Sequence, residues 1–174
     1  MPSSSYAVVA YLAGDLGKFV SGFRAAVSPQ HTHLRPHITA LSPRKVNISD
    51  ADAVKRFEKI SFQPIAVELG DVCTFRPLSP TIYLDLRRGQ REIWDLNQLL
   101  GAAPFAGKPE WPFAPHVTLA KLDDFKDIAR VFQHARDRWR DYQGARGFSV
   151  TELTLVRESK KDVWVDLATI HAGK

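Results

Sequence analysis

The sequence predicts an α+β fold: bilobal and duplicated, with two largely antiparallel sheets, helices on their outer faces and a central cleft. Three observations predict it. Short β-branched and aromatic runs alternate with amphipathic helical stretches. The order strand, helix, strand, helix, strand fills the first part of the chain and comes round again in the second. Each part carries one copy of Pro-His-[Ile/Val]-Thr, "PHITALS" at 36–42 and "PHVTLAK" at 115–121, with 79 positions between the histidines.

The elements follow in order. "SYAVVAYLA" reads as a strand. In "DLGKFVSGFRAAVSP", Phe19, Val20, Phe23 and Val27 fall at helical spacing, and Asp15 is placed to cap. "LRPHITAL" is a strand. "SDADAVKRFEKI" starts at a Ser49 or Asp50 cap and shows one face of Val54, Phe57 and Ile60. "QPIAVELGDVCTF" alternates as a strand bent near Gly70, and "PTIYLDLRR" is another strand. "QREIWDLNQLLGAAP" is a helix stopped near Gly101 and Pro104. A Pro/Gly/aromatic loop, "APFAGKPEWPF", leads into the strand "APHVTLAKL". "DDFKDIARVFQHARDRWRDY" is a long amphipathic helix, and "FSVTELTLVRES" and "DVWVDLATIHA" are two strands around a polar turn.

The chain has 174 residues, 44% of them hydrophobic, enough for one domain over 1–174 with a sizeable core. Its formal net charge is +5 and its pI about 9.5, which suits an anionic, phosphate-bearing ligand. The single cysteine, Cys73, cannot close an internal disulfide or build a zinc framework, and a buried structural role in a reducing compartment is expected. No stretch has the length of a secretory signal or a membrane span, so a cytoplasmic protein with no membrane contact is expected. No linker or low-complexity segment divides the chain.

Strand parity gives the doubled motif its chemistry. Successive side chains on a strand point to opposite faces. His37 and Thr39 therefore share a face, as do His116 and Thr118, while Ile38 and Val117 point into packing. Two such strands bring two imidazoles and two hydroxyls to one cleft. In-line displacement at phosphorus needs a base on one side and an acid on the other. Histidine titrates near neutrality and can serve as either. Threonine hydroxyls can hold the non-bridging phosphate oxygens. That scheme uses no metal, no cofactor and no covalent nucleophile.

With its two motifs and its closing "FSVTELTLVRES…DVWVDLATI", the chain resembles the two-histidine (2H) phosphoesterase superfamily. Within that superfamily it is most similar to the 2′-5′ RNA ligase-like proteins, also called RNA 2′,3′-cyclic phosphodiesterases. The resemblance spans essentially the whole chain. It implies a bilobal fold with the motifs lining the cleft, and metal-independent opening of 2′,3′-cyclic phosphates to 2′-phosphates, with reversible 2′-5′ RNA ligation in some members. It implies His37 as acid towards the leaving O3′, His116 as base, and Thr39 and Thr118 as phosphate holders. The implied partners are RNA with a cyclic phosphate end or a small cyclic nucleotide, bound by a monomer. The first motif departs from the pattern in its exit, "ALSPRKV", which points to another cyclic nucleotide derivative as an alternative ligand.

Further residues are candidates for substrate contact. Arg44 follows the first motif with Lys45, Lys121 ends the second, and Arg157 leaves a late strand. Phe113 and Trp111, in the loop before the second motif, are placed to stack a base, and Tyr83 and Tyr11 are strand aromatics that can face the cleft. Two competing functions are weighed. A non-catalytic RNA or nucleotide-binding module would exploit the basic pI, including the strip Arg130–Arg140, whose charges are mixed with Asp127, Asp137 and Asp141. A metal site would use His31, His33 and His37, but no carboxylate–histidine pattern accompanies them, and no metal is expected. His134 and His171 are read as structural or exposed.

Overall fold

The computed structural model describes residues 4–102, 105–107, 109 and 111–173. Eight strands and four α-helices are formed among them. They run β1 (Ser4–Tyr11), α1 (Gly14–Val27), β2 (His37–Val46), α2 (Asp50–Phe57), β3 (Ile65–Thr74), β4 (Thr81–Arg88), α3 (Gln90–Leu100), β5 (Val117–Lys121), α4 (Ile128–Arg140), β6 (Gly147–Val150), β7 (Glu152–Lys160) and β8 (Val163–His171). A 3-10 turn, Pro29–His31, follows α1.

The expectation of two sheets is corrected. The strands form one antiparallel sheet, in the order β6-β3-β4-β5-β2-β1-β7-β8. At its middle, β2 and β5 join through Ile38 opposite Val117, the apolar residues of the two motifs. Both are fully buried, so each motif spends its middle side chain on the core and keeps its flanking pair for the other face. The expectation that "FSVTELTLVRES" is one strand is corrected too. It breaks at Thr151: β6 pairs with β3 and β7 pairs with β1. Neighbouring residues of the chain thus enter opposite ends of the strand order, which requires the sheet to curl. The Ala172 amide donates to the Thr151 carbonyl at 2.8 Å and secures the break.

The core lies between one face of the sheet and the helices. Tyr6, Val8 and Ala10 of β1 face it, with Val20 and Phe23 of α1, Ile93 and Leu100 of α3, and Val131 and Trp139 of α4. Ala7 and Val9 point the other way and form a small separate apolar cluster with Val156. The helices cross beneath the sheet: α1 packs on β5 and α3 packs on β2.

Local signals explain the boundaries. Ser49 caps α2, its Oγ accepting from the Asp52 amide at 3.1 Å. Asp15 does not cap α1. It sits in the first turn, where a carboxylate favours the positive end of the helix dipole, and it pairs with Lys18 at 3.5 Å. The bend expected near Gly70 is a register irregularity between Leu69 and Val72. A Cβ at Gly70 would collide with the Asp85 carboxylate, and the Gly70 carbonyl accepts from Trp139 Nε1 at 2.8 Å. Helix α3 ends at Gly101 as expected, whereas Pro104 lies outside the described residues. Among the described residues no helix is long and apolar enough to cross a membrane.

Candidate active site

The motif face of the sheet carries two neighbouring cavities that share Thr39 and Pro43. The larger, about 650 Å³, is lined by His116, Phe75, Leu78, Trp111 and Phe113. The smaller, about 320 Å³, is lined by His37, Tyr11, Arg35, Trp164 and Asp166 over the floor of Ala7, Val9 and Val156. One motif histidine stands in each cavity, with Thr39 at the junction.

The two imidazoles are held in the same way. His37 Nδ1 lies 2.7 Å from the Arg35 carbonyl oxygen, and His116 Nδ1 lies 2.6 Å from the Ala114 carbonyl oxygen. A carbonyl only accepts, so each Nδ1 carries the hydrogen and donates. That fixes the tautomer and leaves Nε2 to gain or lose a proton. Burial is the main influence that pushes both imidazoles below the usual histidine range, and the carbonyl hydrogen bond opposes it in each. On His37 the charges of Arg24, His116 and Arg35 push further down.

The surroundings differ. His116 meets Tyr83 at 5.2 Å and Phe75 at 4.9 Å between ring centroids, both edge-on, and these two rings stack on each other at 4.1 Å. His37 meets Tyr11 edge-on at 6.4 Å. Tyr11 donates to Asp166 Oδ1 at 2.5 Å, and Arg35 lies 3.5 Å above the Tyr11 ring while pairing with Asp166 at 3.2 Å. Burial and the Asp166 carboxylate raise the Tyr11 phenol well above its ordinary value, so it remains protonated as a donor.

The sequence-derived candidates divide accordingly. His37, Thr39 and His116 line the cavities. Thr118, two residues after His116 in the chain, lies opposite Tyr83 in register and lines neither cavity. Phe113 and Trp111 line the larger cavity and Tyr83 touches His116. Arg44, Lys121 and Arg157 line neither cavity. Arg44 is buried and donates to the Ser42 and Pro43 carbonyls at 3.2 and 3.3 Å. Arg157 pairs with Asp50 at 3.0 Å, where Tyr6 also donates to Asp50. Lys121 is exposed, and its charge acts on His31. Of the basic strip on α4, Arg130 pairs with Asp127 and Arg140 with Asp137, while Arg136 lies over the Phe132 ring. His31 and His33 stand 6.4 Å apart, and His33 Nε2 is engaged by the Asp162 carbonyl at 3.0 Å. Among the described residues no three His, Cys, Asp or Glu side chains gather as a metal-holding group. Burial raises the Cys73 thiol above its ordinary value, against a reactive thiolate.

Sequence reasoning missed Phe75, Pro43, Arg35, Trp164 and Asp166. Asp166 comes to the site because β8 pairs with β7 and β7 with β1, and nothing local announces a partner 155 positions from Tyr11.

An antiparallel sheet over helices, with two histidines of like geometry in one cleft, defines the class to which known proteins can be compared. The family model described as the 2′-5′ RNA ligase superfamily matches residues 13–162. A Staphylococcus haemolyticus protein named "Putative phosphoesterase" is 30% identical over 149 residues, covering 83% of this chain and 85% of its own. A Halalkalibacterium halodurans protein of like name is 26% identical and covers 98% of both chains. In structure, E. coli LigT complexed with 3′-AMP shares the fold with a TM-score of 0.69 at 17% identity, over 99% of both chains. Kluyveromyces marxianus Usb1 does so with a TM-score of 0.58 at 10% identity, over 94% of this chain and 97% of its own. The chain belongs to the 2′-5′ RNA ligase superfamily of two-histidine phosphoesterases.

Proposed function

We propose that this protein is a metal-independent phosphodiesterase that opens 2′,3′-cyclic phosphates, on RNA ends or small nucleotides, to 2′-phosphates. The observation that carries this reading is the matched pair of imidazoles. Each has its Nδ1 committed to a carbonyl two residues upstream, and the two occupy adjoining cavities.

In the proposed reaction one neutral Nε2 takes a proton from water as its oxygen bonds to phosphorus. The P–O3′ bond breaks, and the other Nε2 gives its proton to O3′. The products are a 2′-phosphomonoester and a free 3′-hydroxyl. Thr39 and Thr118 donate to the non-bridging oxygens. With the 5′-hydroxyl of a second ribose in place of water, the same displacement in the same direction would form the P–O5′ bond, break P–O3′ and leave a 2′-5′ link. The larger cavity, with Phe75, Trp111 and Phe113, suits the flat face of a base.

Family resemblance implies His37 as the acid, whereas the cations around His37 favour a neutral ring there in the free protein. A diester with a nitrophenolate leaving group separates the two orders, since that group departs without a proton. It restores activity to the variant lacking the acid and not to the variant lacking the base.

The test is a panel of 2′,3′-cyclic mononucleotides, cyclic-phosphate oligonucleotides and 3′,5′-cyclic nucleotides, incubated with excess chelator and with products resolved as 2′- or 3′-phosphates. Opening to 2′-phosphates with chelator present is the expected result. Binding that survives loss of both histidines, with no turnover by the intact protein, would replace the enzyme reading with that of a binding module.

A further inference from the structure

We propose that Arg24 on α1 and Asn97 on α3 are paired positioning residues, each reaching a backbone carbonyl on a motif strand and together fixing one histidine relative to the other. The proposal rests on the acid–base reading above and deepens it.

The two helices use the same pattern. In α1 the buried face is Leu16, Gly17, Val20, Phe23 and Arg24, with Val27 partly buried; in α3 it is Ile93, Leu96, Asn97 and Leu100. The polar residue follows a buried apolar pair at the same spacing in each, Val20 and Phe23 before Arg24, Ile93 and Leu96 before Asn97. Both side chains are almost fully buried, Arg24 at 4% and Asn97 at 4% exposure. Arg24 donates to the Thr118 carbonyl at 2.6 Å and to the Leu34 carbonyl. Asn97 donates to the Ala40 carbonyl at 2.8 Å. Thr118 is two residues from His116, Leu34 three before His37, and Ala40 three after it.

The bonds cross. Helix α1 leaves β1, the partner of β2, yet Arg24 holds β5; helix α3 leaves β4, the partner of β5, yet Asn97 holds β2. Between these strands the sheet itself has one residue pair, Ile38–Val117. The spacing of the two imidazoles therefore depends on what holds β2 and β5 from below, and Arg24 and Asn97 are two buried polar groups that do so.

Arg24 has a second consequence. Among the described residues its buried guanidinium has carbonyls and no carboxylate as partners, and an uncompensated buried cation is costly to a fold. Its charge opposes a proton on His37. The other groups facing His37 are Arg35 on the preceding loop, His116 before β5, Tyr11 on β1 with its partner Asp166 on β8, and His33 in the same cavity. Asn97 carries no charge, so the two braces separate position from electrostatics.

The experiment compares Arg24→Gln, Arg24→Lys and Asn97→Leu with the intact protein in two readouts. One is kcat and KM for 2′,3′-cyclic AMP; the other is the NMR titration of the His37 and His116 rings, assigned with the single-histidine variants. Asn97→Leu is expected to lower kcat about 10- to 100-fold with KM nearly unchanged and the His37 titration unmoved. Arg24→Gln is expected to lower kcat as much and to move the His37 titration upward while His116 stays in place. Arg24→Lys is expected to keep the His37 titration and recover part of kcat. If Arg24→Gln does not fold, Arg24→Lys and Asn97→Leu carry the test. Folded variants with unchanged kcat and unchanged titrations would overturn the proposal, as would a loss confined to stability. The titrations need no turnover: an inactive intact protein in which Arg24→Gln still moves His37 alone would refute the proposed reaction and leave the electrostatic brace standing.

Discussion

His37 and His116 are alike in what touches Nδ1 and unlike in nearly everything else. His37 opens a ten-residue strand paired along its length with β1, and looks into a small cavity with a charged rim of Arg35 and Asp166. His116 precedes a five-residue strand and looks into a cavity twice as large, walled by Phe75, Leu78, Trp111 and Phe113. In the proposed reaction the shared features position a proton and the unshared ones shape a ligand.

Substitutions that strike the shared part should cost most. Replacing either histidine with alanine is expected to lower kcat/KM for a 2′,3′-cyclic phosphate about 100- to 10,000-fold, with the thermal midpoint little changed. Thr39→Val and Thr118→Val come next, each lowering kcat about 100-fold in steady-state assays if both hydroxyls hold the phosphate. A silent Thr118→Val would break the likeness of the two segments at that point.

The unshared part should act on binding. Trp111→Ala is expected to raise KM for a cyclic nucleotide about 5- to 100-fold, and to leave KM for ribose 2′,3′-cyclic phosphate nearly unchanged. Trp164→Ala, on the other side, should not discriminate between the two. Equal effects at the two positions would deny the larger cavity its role as base site. The smallest effect is on pH dependence. Both imidazoles are pushed below the usual histidine value of about 6.5. The rising limb of kcat/KM reports loss of the base's proton and the falling limb loss of the acid's, so both limbs should lie on the acid side of that value. Arg35→Gln should move the limb belonging to His37 upward, because a cation opposing its proton is gone. A pH profile centred above 7 would contradict the desolvated pair.

The motif and most elements were legible before the structure because they are local. Parity alone put His37 with Thr39 and buried Ile38, and the Ser49 cap and the Gly70 bend are written in adjacent residues. What was not legible is what depends on pairing across the chain. The two sheets are one, because Ile38 meets Val117; the run at 147–160 is two strands, because the sheet curls at Thr151. Arg44 and Arg157 read as cleft cations and instead satisfy carbonyls and Asp50. Sequence shows that a residue is basic but not which face of a bulged strand it takes: Ala40 and Leu41 are both buried, so simple alternation does not carry from His37 to Arg44. Arg24 did leave a signal, a charge in the middle of an apolar helical face, and Asn97 left a weaker one, a neutral amide on such a face.

The most direct measurement of the central claim is kcat/KM for 2′,3′-cyclic AMP in the intact protein, His37→Ala, His116→Ala and the double variant. An acid and a base acting in one displacement should not add: the double variant is expected to fall no further than the poorer single variant. Losses that multiply, or a single variant that keeps full activity, would contradict the paired mechanism.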